Sequence, residues 1–349
     1  MAEVPLNPMD LLARRVRYED FVPCTTAFID TRTPGSDLKE NFTIIGSGVS
    51  ESPDQHVHID IPHGFNIGGA RQPPHCVNSQ HSHDTAEVFV VHSGTWAFRT
   101  GEHGEDGEAI LMVGDVISIP THAFRGFENI GEDTGFLFAI LGGDDPGRVL
   151  WAPHVLQAAG QHGLVLLENG SLVDTANGEP LPKGAKPMPV PTEQQLAKLQ
   201  VLDDAALEDC VLRRDRFRPA PASLLSAKGI AETPIIGAPQ PDGEDPVCAG
   251  KLKWPHGFQL RHLRIGPGIA TERYLRHQEE VLFVHEGQVA VDILDAAVEL
   301  GAGDVFTSPI NAVRRIRNAG NVPAEIYSVL GSDAPTAERV RDRPESHLS

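Results

Sequence analysis

The sequence predicts an all-β chain built from two copies of one domain, and two observations carry that expectation. From about Phe21 to Leu141, short β-rich segments such as FTIIGSG, FNIGGA, EVFVVHSG and AILMVGDVISIP follow one another with turn residues and no helix between them. That spacing argues for a sandwich or barrel, and 34 glycines and 28 prolines suit many tight turns. The same pattern then returns. Pro62-His63-Gly64-Phe65 recurs as Pro255-His256-Gly257-Phe258, and Glu87, His92 and Gly94 recur in register as Glu280, His285 and Gly287. After a hairpin shorter by four residues, Gly114-Asp115-Val116 matches Gly303-Asp304-Val305. Pro120, Arg125 and Asn129 match Pro309, Arg314 and Asn318, and Asp144 matches Asp333. Matches in a fixed order mean an internal duplication.

The elements follow in order. Asn7-Pro8 before MDLLARRV reads as a short capped helix, with Asn7 as cap and Pro8 in the first turn. Residues 1–20 form this amino-terminal piece and residues 21–158 the first β-domain, which a helix over Trp151–Ala159 leaves. Residues 159–213 read as a connector. It is rich in proline and turn residues at first, then helical over TEQQLAKLQVLDDAALEDC, with Thr192 as cap and apolar residues at helical spacing. A connector this long is expected to pack on the domains or to join a subunit interface. Residues 214–340 form the second β-domain.

Composition narrows the function. The 349 residues suffice for two domains with cores of their own. A net charge of −19 repels nucleic acid and anionic membranes, so neither is an expected partner. The amino terminus lacks the basic and apolar regions of a secretory signal, and no apolar run approaches a membrane span. Cys24, Cys76, Cys210 and Cys248 are scattered without a CxxC pair, which suits free thiols in a cytoplasmic setting. Cys76 lies near the histidines described next and is expected to pack as a small hydrophobe.

The chemistry concentrates in Gln80–Gly94, QHSHDTAEVFVVHSG. Residues two apart on a strand share a face, so His81 and His83 point the same way, and Glu87 has the same parity. Two imidazoles and a carboxylate can chelate Fe, Mn, Ni or Zn. A lone His-x-His is more often a polar edge facing water, which is the reading given to His56 and His58. Glu87, Gly94 and a second motif at 114–129 shift the balance to a metal site. His92 and His285 have the opposite parity and are expected to pack elsewhere, as are His63 and His256. No phosphate-binding or dinucleotide fingerprint and no GxSxG elbow is present.

These motifs resemble those of the cupin superfamily. The first motif is met by His81, His83, Glu87 and Gly94, with His75 replacing its leading glycine. The second is met by Gly114, Pro120 and Asn129, with His122 for its usual glycine and Arg125 for its usual metal-binding histidine. The resemblance implies two antiparallel jelly-roll barrels in tandem, a bicupin, with a short amino-terminal helix and a partly helical connector. It implies a metal held by His81, His83 and Glu87, with His122, His75 and His63 as candidate extra donors. Arg125 has no lone pair for a metal and is expected to clamp a substrate anion. The competing expectation is a barrel-internal ion pair, because Arg314 recurs where no metal is expected. In the second copy Tyr274 and Arg276 replace the two histidines, and an Arg276–Glu280 pair is expected to plug the former site.

The expected function is that of an Fe(II)-dependent dioxygenase acting on a small aromatic or carboxylated molecule in the first barrel. The alternatives are a decarboxylase, lyase or isomerase using Mn, Ni or Zn, and a ligand-binding bicupin without turnover. A homo-oligomer, dimer or higher, is expected.

Overall fold

The computed structural model describes residues 8–237, 252, 254–293 and 295–340. Asn7, the expected helix cap, lies outside them, and the helix itself runs over Pro8–Leu12. The chain divides into two compact units, Phe21–Phe217 and a second formed by residues up to Asp20 together with those from Arg218 onward. Both are jelly-roll barrels. Among the described residues no helix is long and apolar enough to cross a membrane.

The first unit faces two sheets. One runs Val211–Leu212, Val116–Ile119, Glu87–Ser93, Gly135–Gly142, Phe65–Gln72, Glu40–Ile45 and Val57–Ile59; the other runs Leu150–Trp151, Val77–Ser82, Arg125–Asn129, Trp96–Thr100 and Gly107–Leu111. Pairing is antiparallel throughout, except that Glu40–Ile45 and Val57–Ile59 run parallel. The second unit repeats the plan with Val305–Ser308, Glu280–Glu286, Ala324–Gly331, Phe258–Ile265 and Ile230–Ile236 against Val289–Ile293, Arg314–Asn318 and Tyr274–Arg276. Its core is an aliphatic filling that includes Leu263, Leu282, Val284, Val291, Phe306 and Ile326.

Each duplicated motif has a structural duty. Gly114 and Gly303 adopt φ of 85° and 88°, which glycine enters without strain. The following aspartate then caps a neighbouring segment: Asp115 Oδ1 accepts from Arg214 N, and Asp304 Oδ1 accepts from Tyr18 N, both at 2.9 Å. These caps dock two equivalent short strands, Val211–Leu212 on Val116–Ile119 and Arg15–Val16 on Val305–Ser308. The amino-terminal segment is thus an edge strand of the second unit. In the same way Asp144 accepts from the backbone of His63 and Gly64, and Asp333 accepts from that of His256 and Gly257. Asn129 and Asn318 each tie a turn through a carboxamide bonded to the backbone on both sides.

The connector belongs to the first unit. The helix that leads into it runs over Pro153–Gln161, two residues later than expected because Trp151 ends a strand, and packs Val155 and Ala159 with Trp151, Leu164 and Leu166. The single helix expected from Thr192 is in fact two short ones, Glu193–Leu196 and Asp204–Glu208. Thr192 forms the capping box as its sequence suggests. The helix then breaks because Gln200 N donates to His122 O and Leu202 O accepts from Thr100 Oγ1, so pairing with the barrel outweighs helical propensity.

Candidate metal centre

His81, His83 and Glu87 converge inside the first barrel. Their ligand atoms all lie within 4.8 Å of one another, and all three side chains are buried. The histidines come from the Val77–Ser82 strand and its end, and Glu87 starts the strand Glu87–Ser93 of the facing sheet, so the site bridges the two sheets. The imidazoles meet edge to face at 5.0 Å. His81 Nδ1 lies 2.7 Å from Ser79 O. Donation to that carbonyl places the proton on Nδ1 and leaves Nε2 a lone pair, the arrangement that suits a metal ligand. His83 Nε2 is 3.6 Å from Glu87 Oε1, and His83 Nδ1 is buried with no hydrogen-bond partner among the described residues.

Burial, and then the positive charge of Arg125, hold both imidazoles well below the usual histidine range, so they are neutral at physiological pH. Burial also pushes the Glu87 carboxyl up, and Arg125 opposes that shift. Two neutral imidazoles, one carboxylate and an unsatisfied buried nitrogen fit a divalent transition metal.

Arg125 is placed otherwise than a substrate clamp requires. Its Nη2 and Nε donate to Glu87 Oε2 at 2.7 and 3.1 Å, and its Nη1 faces the carbonyls of Ala123 and His81 at 3.3 and 3.5 Å. The geometry is the barrel-internal ion pair. It arises because Arg125 sits directly opposite His81 in the strand register, as Arg314 sits opposite Tyr274 in the second barrel. Glu87 therefore spends one oxygen on arginine and turns the other toward His83.

The candidate extra donors do not join the cluster. His122 is exposed at φ 57° beside Asp84, and His75 is exposed at φ 62° beside Glu128. Both occupy turns whose backbone aims the side chain out of the barrel. His63 is buried, but its Nδ1 faces Ile61 O, as His256 Nδ1 faces Trp254 O in the repeat. His285 packs on Tyr327, His92 lies edge-on to Phe136, and Cys76 is a buried small hydrophobe.

A cavity opens beside the three donors, with about 70 Å³ available to the centre of a water-sized sphere. At roughly 10–15 Å³ per water position, that is room for a handful of non-hydrogen atoms. Its walls are mainly apolar, from Phe28, Phe42, Ile67, Phe89, Phe127, Leu141 and Trp151, with Asn41, Asn66 and Asn78 among the polar members.

Sequence parity missed the surroundings of the cavity. Asn78 and His81 have opposite parity, yet both line it, because a bulge shifts the register between Arg125↔His81 and Phe127↔Asn78. Behind Asn78 lies a fully buried ion pair, Lys39 with Asp30. Trp151 packs against His81 at 5.3 Å and donates its Nε1 to Glu51 Oε1 at 2.6 Å. Burial raises the Glu51 carboxyl to about 7, and the hydrogen bond from Trp151 opposes the shift. No local motif marks Lys39, Asp30 or Glu51.

The second barrel closes the equivalent point. Tyr274 Oη, Arg276 Nε, Arg314 Nε and Ser328 Oγ all donate to Glu280, at 3.1, 2.9, 2.8 and 3.0 Å. The two guanidinium groups outweigh burial and hold Glu280 down at about 2. The expected Arg276–Glu280 plug is present, and strand register shows how the rest of the space fills. Arg261 stands where the first barrel has Gly68, and Glu232 stands where it has Asn41. Their charged groups approach at 3.6 Å.

Residues 261–330 match the family model described as the cupin domain. No curated protein matches the sequence significantly. Among solved structures, the Lactobacillus farciminis oxalate decarboxylase formate complex aligns with a TM-score of 0.59 and 13% identity, over 97% of this chain and 90% of that one. The Bacillus subtilis oxalate decarboxylase at pH 4.6 aligns with a TM-score of 0.56 and 12% identity, over 94% of this chain and 78% of that one. At such identities the likeness is one of fold.

Proposed function

We propose that the chain, two barrels of cupin fold, houses in its first barrel a metal-dependent, non-oxidative enzyme: a decarboxylase, lyase or isomerase acting on a small carboxylated molecule. The carrying observation is the convergence of His81, His83 and Glu87 on one small, mostly apolar cavity. The two similar structures described as oxalate decarboxylases support the reaction class. The narrow cavity supports a small substrate. Mn, Ni or Zn suits this chemistry, and such an ion supplies a Lewis acid that polarises a bound oxygen.

The chain's own groups do the rest. His81 and His83 offer neutral nitrogen donors, the first held in its tautomer by Ser79 O. Glu87 offers the oxygen that Arg125 leaves unused. Apolar walls exclude bulk water, which strengthens every charge interaction inside.

A second reading has its own support. A two-histidine, one-carboxylate set without a fourth protein donor among the described residues is the arrangement of Fe(II)-dependent dioxygenases. Oxygen uptake and anaerobic turnover separate the two. Activity on small oxo acids that persists without O2, with about one metal per chain, supports the non-oxidative reading. Turnover that stops without O2 and consumes it stoichiometrically overturns it in favour of the dioxygenase. Purified protein that takes up no metal even after loading leaves only a ligand-binding bicupin.

A further inference from the structure

Resting on the metal-site reading above, we propose that the cavity selects a 2-oxo monocarboxylate with an uncharged body, and that buried Lys39 is a positioning residue for Asn78 rather than an anion-binding cation.

The argument starts from charge. None of the described residues lining the cavity is a lysine or an arginine. The two cations nearest the site are both committed, Arg125 to Glu87 and Lys39 to Asp30, and all four side chains are buried. A ligand's first anionic group can be met on the metal side. A second carboxylate meets phenyl rings, aliphatic side chains, amides and the hydroxyls of Thr43 and Ser50 but no cation, and an uncompensated charge there is costly to desolvate.

The polar groups that remain describe a neutral oxygen. Lys39 Nζ, which can only donate, lies 2.9 Å from Asn78 Oδ1. That contact fixes the carboxamide with Nδ2 turned toward His81 and the cavity. Nδ2 lies 3.5 Å from His81 Nδ1, but that nitrogen's proton is already given to Ser79 O, so it has no lone pair to accept with. Asn78 thus presents N–H to the cavity beside a metal donor, where it meets an acceptor one bond from a metal-side carboxylate. A 2-oxo group is such an acceptor. The alkyl body then lies on Phe28, Phe42, Phe127 and Leu141.

Lys39 and Asp30 act from behind. Lys39 also lies over the Phe28 ring at 5.5 Å, and Asp30 Oδ2 accepts from Ser79 N at 3.0 Å. The pair therefore holds the amide, one cavity wall and the bulged strand together.

The test uses the full-length Mn(II)-loaded protein, with metal stoichiometry measured first, and then binding of 2-oxobutanoate, butanoate and oxalate by the Mn(II) EPR signal and by calorimetry. The expected order is 2-oxobutanoate at least about ten-fold tighter than either butanoate or oxalate, which is about 1.4 kcal/mol. Asn78→Ala is expected to bring 2-oxobutanoate close to butanoate while leaving about one metal per chain. The charge-conserving Lys39→Met/Asp30→Asn double variant, which leaves no uncompensated buried charge, is expected to do the same and to leave oxalate unchanged. Oxalate binding as tightly as 2-oxobutanoate overturns the substrate assignment. Loss of oxalate binding alone in the double variant overturns the positioning role, because it makes Lys39 an anion-binding group. An Asn78→Ala protein that keeps full selectivity overturns the role of the amide. A metal stoichiometry of zero sinks both this proposal and the metal-site reading, whereas one metal with the wrong selectivity sinks this proposal alone.

Discussion

The two barrels hold the same glutamate against the same arginine and differ in what stands opposite. In the first, Glu87 faces Arg125 and two neutral histidines, and burial keeps its carboxyl raised. In the second, Glu280 faces Arg314, Arg276 and Tyr274, and its carboxyl is held at about 2. The second guanidinium makes the difference. One guanidinium balances Glu87 in formal charge, whereas the second barrel sets two guanidinium groups on Glu280, one of them on Arg276 where the first barrel has a histidine. The first has two candidate metal donors there instead, and keeps Gly68 and Asn41 where the second has Arg261 and Glu232. The glutamate–arginine pair is the framework of the fold, and the pair of residues opposite decides between an open site and a closed one.

The comparison can be broken most forcefully at the arginines. Arg314→Met leaves Glu280 with one guanidinium, and removing a partner from a buried pair costs about 3–5 kcal/mol. Chemical denaturation should show that loss whether or not metal is added. Arg125→Met should show a comparable loss in metal-free protein and a smaller one in metal-loaded protein, because a bound dication compensates Glu87. Equal losses under both conditions argue against metal at Glu87.

Converting the second site is the next test. Tyr274→His/Arg276→His reproduces the donor pair of the first barrel, and metal analysis should then find a second equivalent per chain. It should bind more weakly than the first, because Arg261 still lies close to Glu232 in that interior. No second equivalent means that the filling around the site, rather than the donor set, keeps it closed.

Acid should separate the two carboxylates. Glu280 has its pKa lowered from 4.5 to about 2, so its stabilising contribution is complete above about 4.5 and is lost as pH falls toward 2. Glu51 has its pKa raised from 4.5 to about 7, so the folded state binds its proton more tightly and stability falls as pH rises through that window. Glu51→Gln should therefore flatten the stability decline between about pH 4.5 and 7 relative to the parent, and Glu280→Gln should flatten the loss below 4.5. Urea midpoints measured across pH would show either slope unchanged if the assignment is wrong.

The smallest effect concerns the two exposed histidines. His75→Ala and His122→Ala should leave metal stoichiometry at about one and change stability by less than about 0.5 kcal/mol, as exposed substitutions generally do. A drop in bound metal with either would restore it as a ligand.

Much of this was legible in the chain itself. The duplication is a pattern of identities, and several of those identities turn out to be turn glycines and backbone-capping side chains such as Asp115, Asp144 and Asn129. Such residues keep their spacing because a turn's geometry is local. The donor set was equally local, being two positions on one strand and one at the start of the next. The role of Arg125 was not, since clamp and ion pair differ only in which way a guanidinium points. Asn78 was hidden by a bulge that reverses strand parity, and Lys39 and Glu51 reach the site from loops and Asp30 from a single helical turn, none of which a strand period describes. The long helix expected after Thr192 failed because hydrogen bonds to the barrel compete with helical propensity.

The sequence by itself determined two barrels, one with a candidate donor set and one with its replacements, because strand period, turn chemistry and residue type are properties of short segments. The tertiary structure alone decided what each charge is for. It paired Arg125 with Glu87 and Lys39 with Asp30, turned His75 and His122 outward, and left no cation among the described residues that line the cavity, because the partner of a buried charge comes from whichever segment the fold lays beside it.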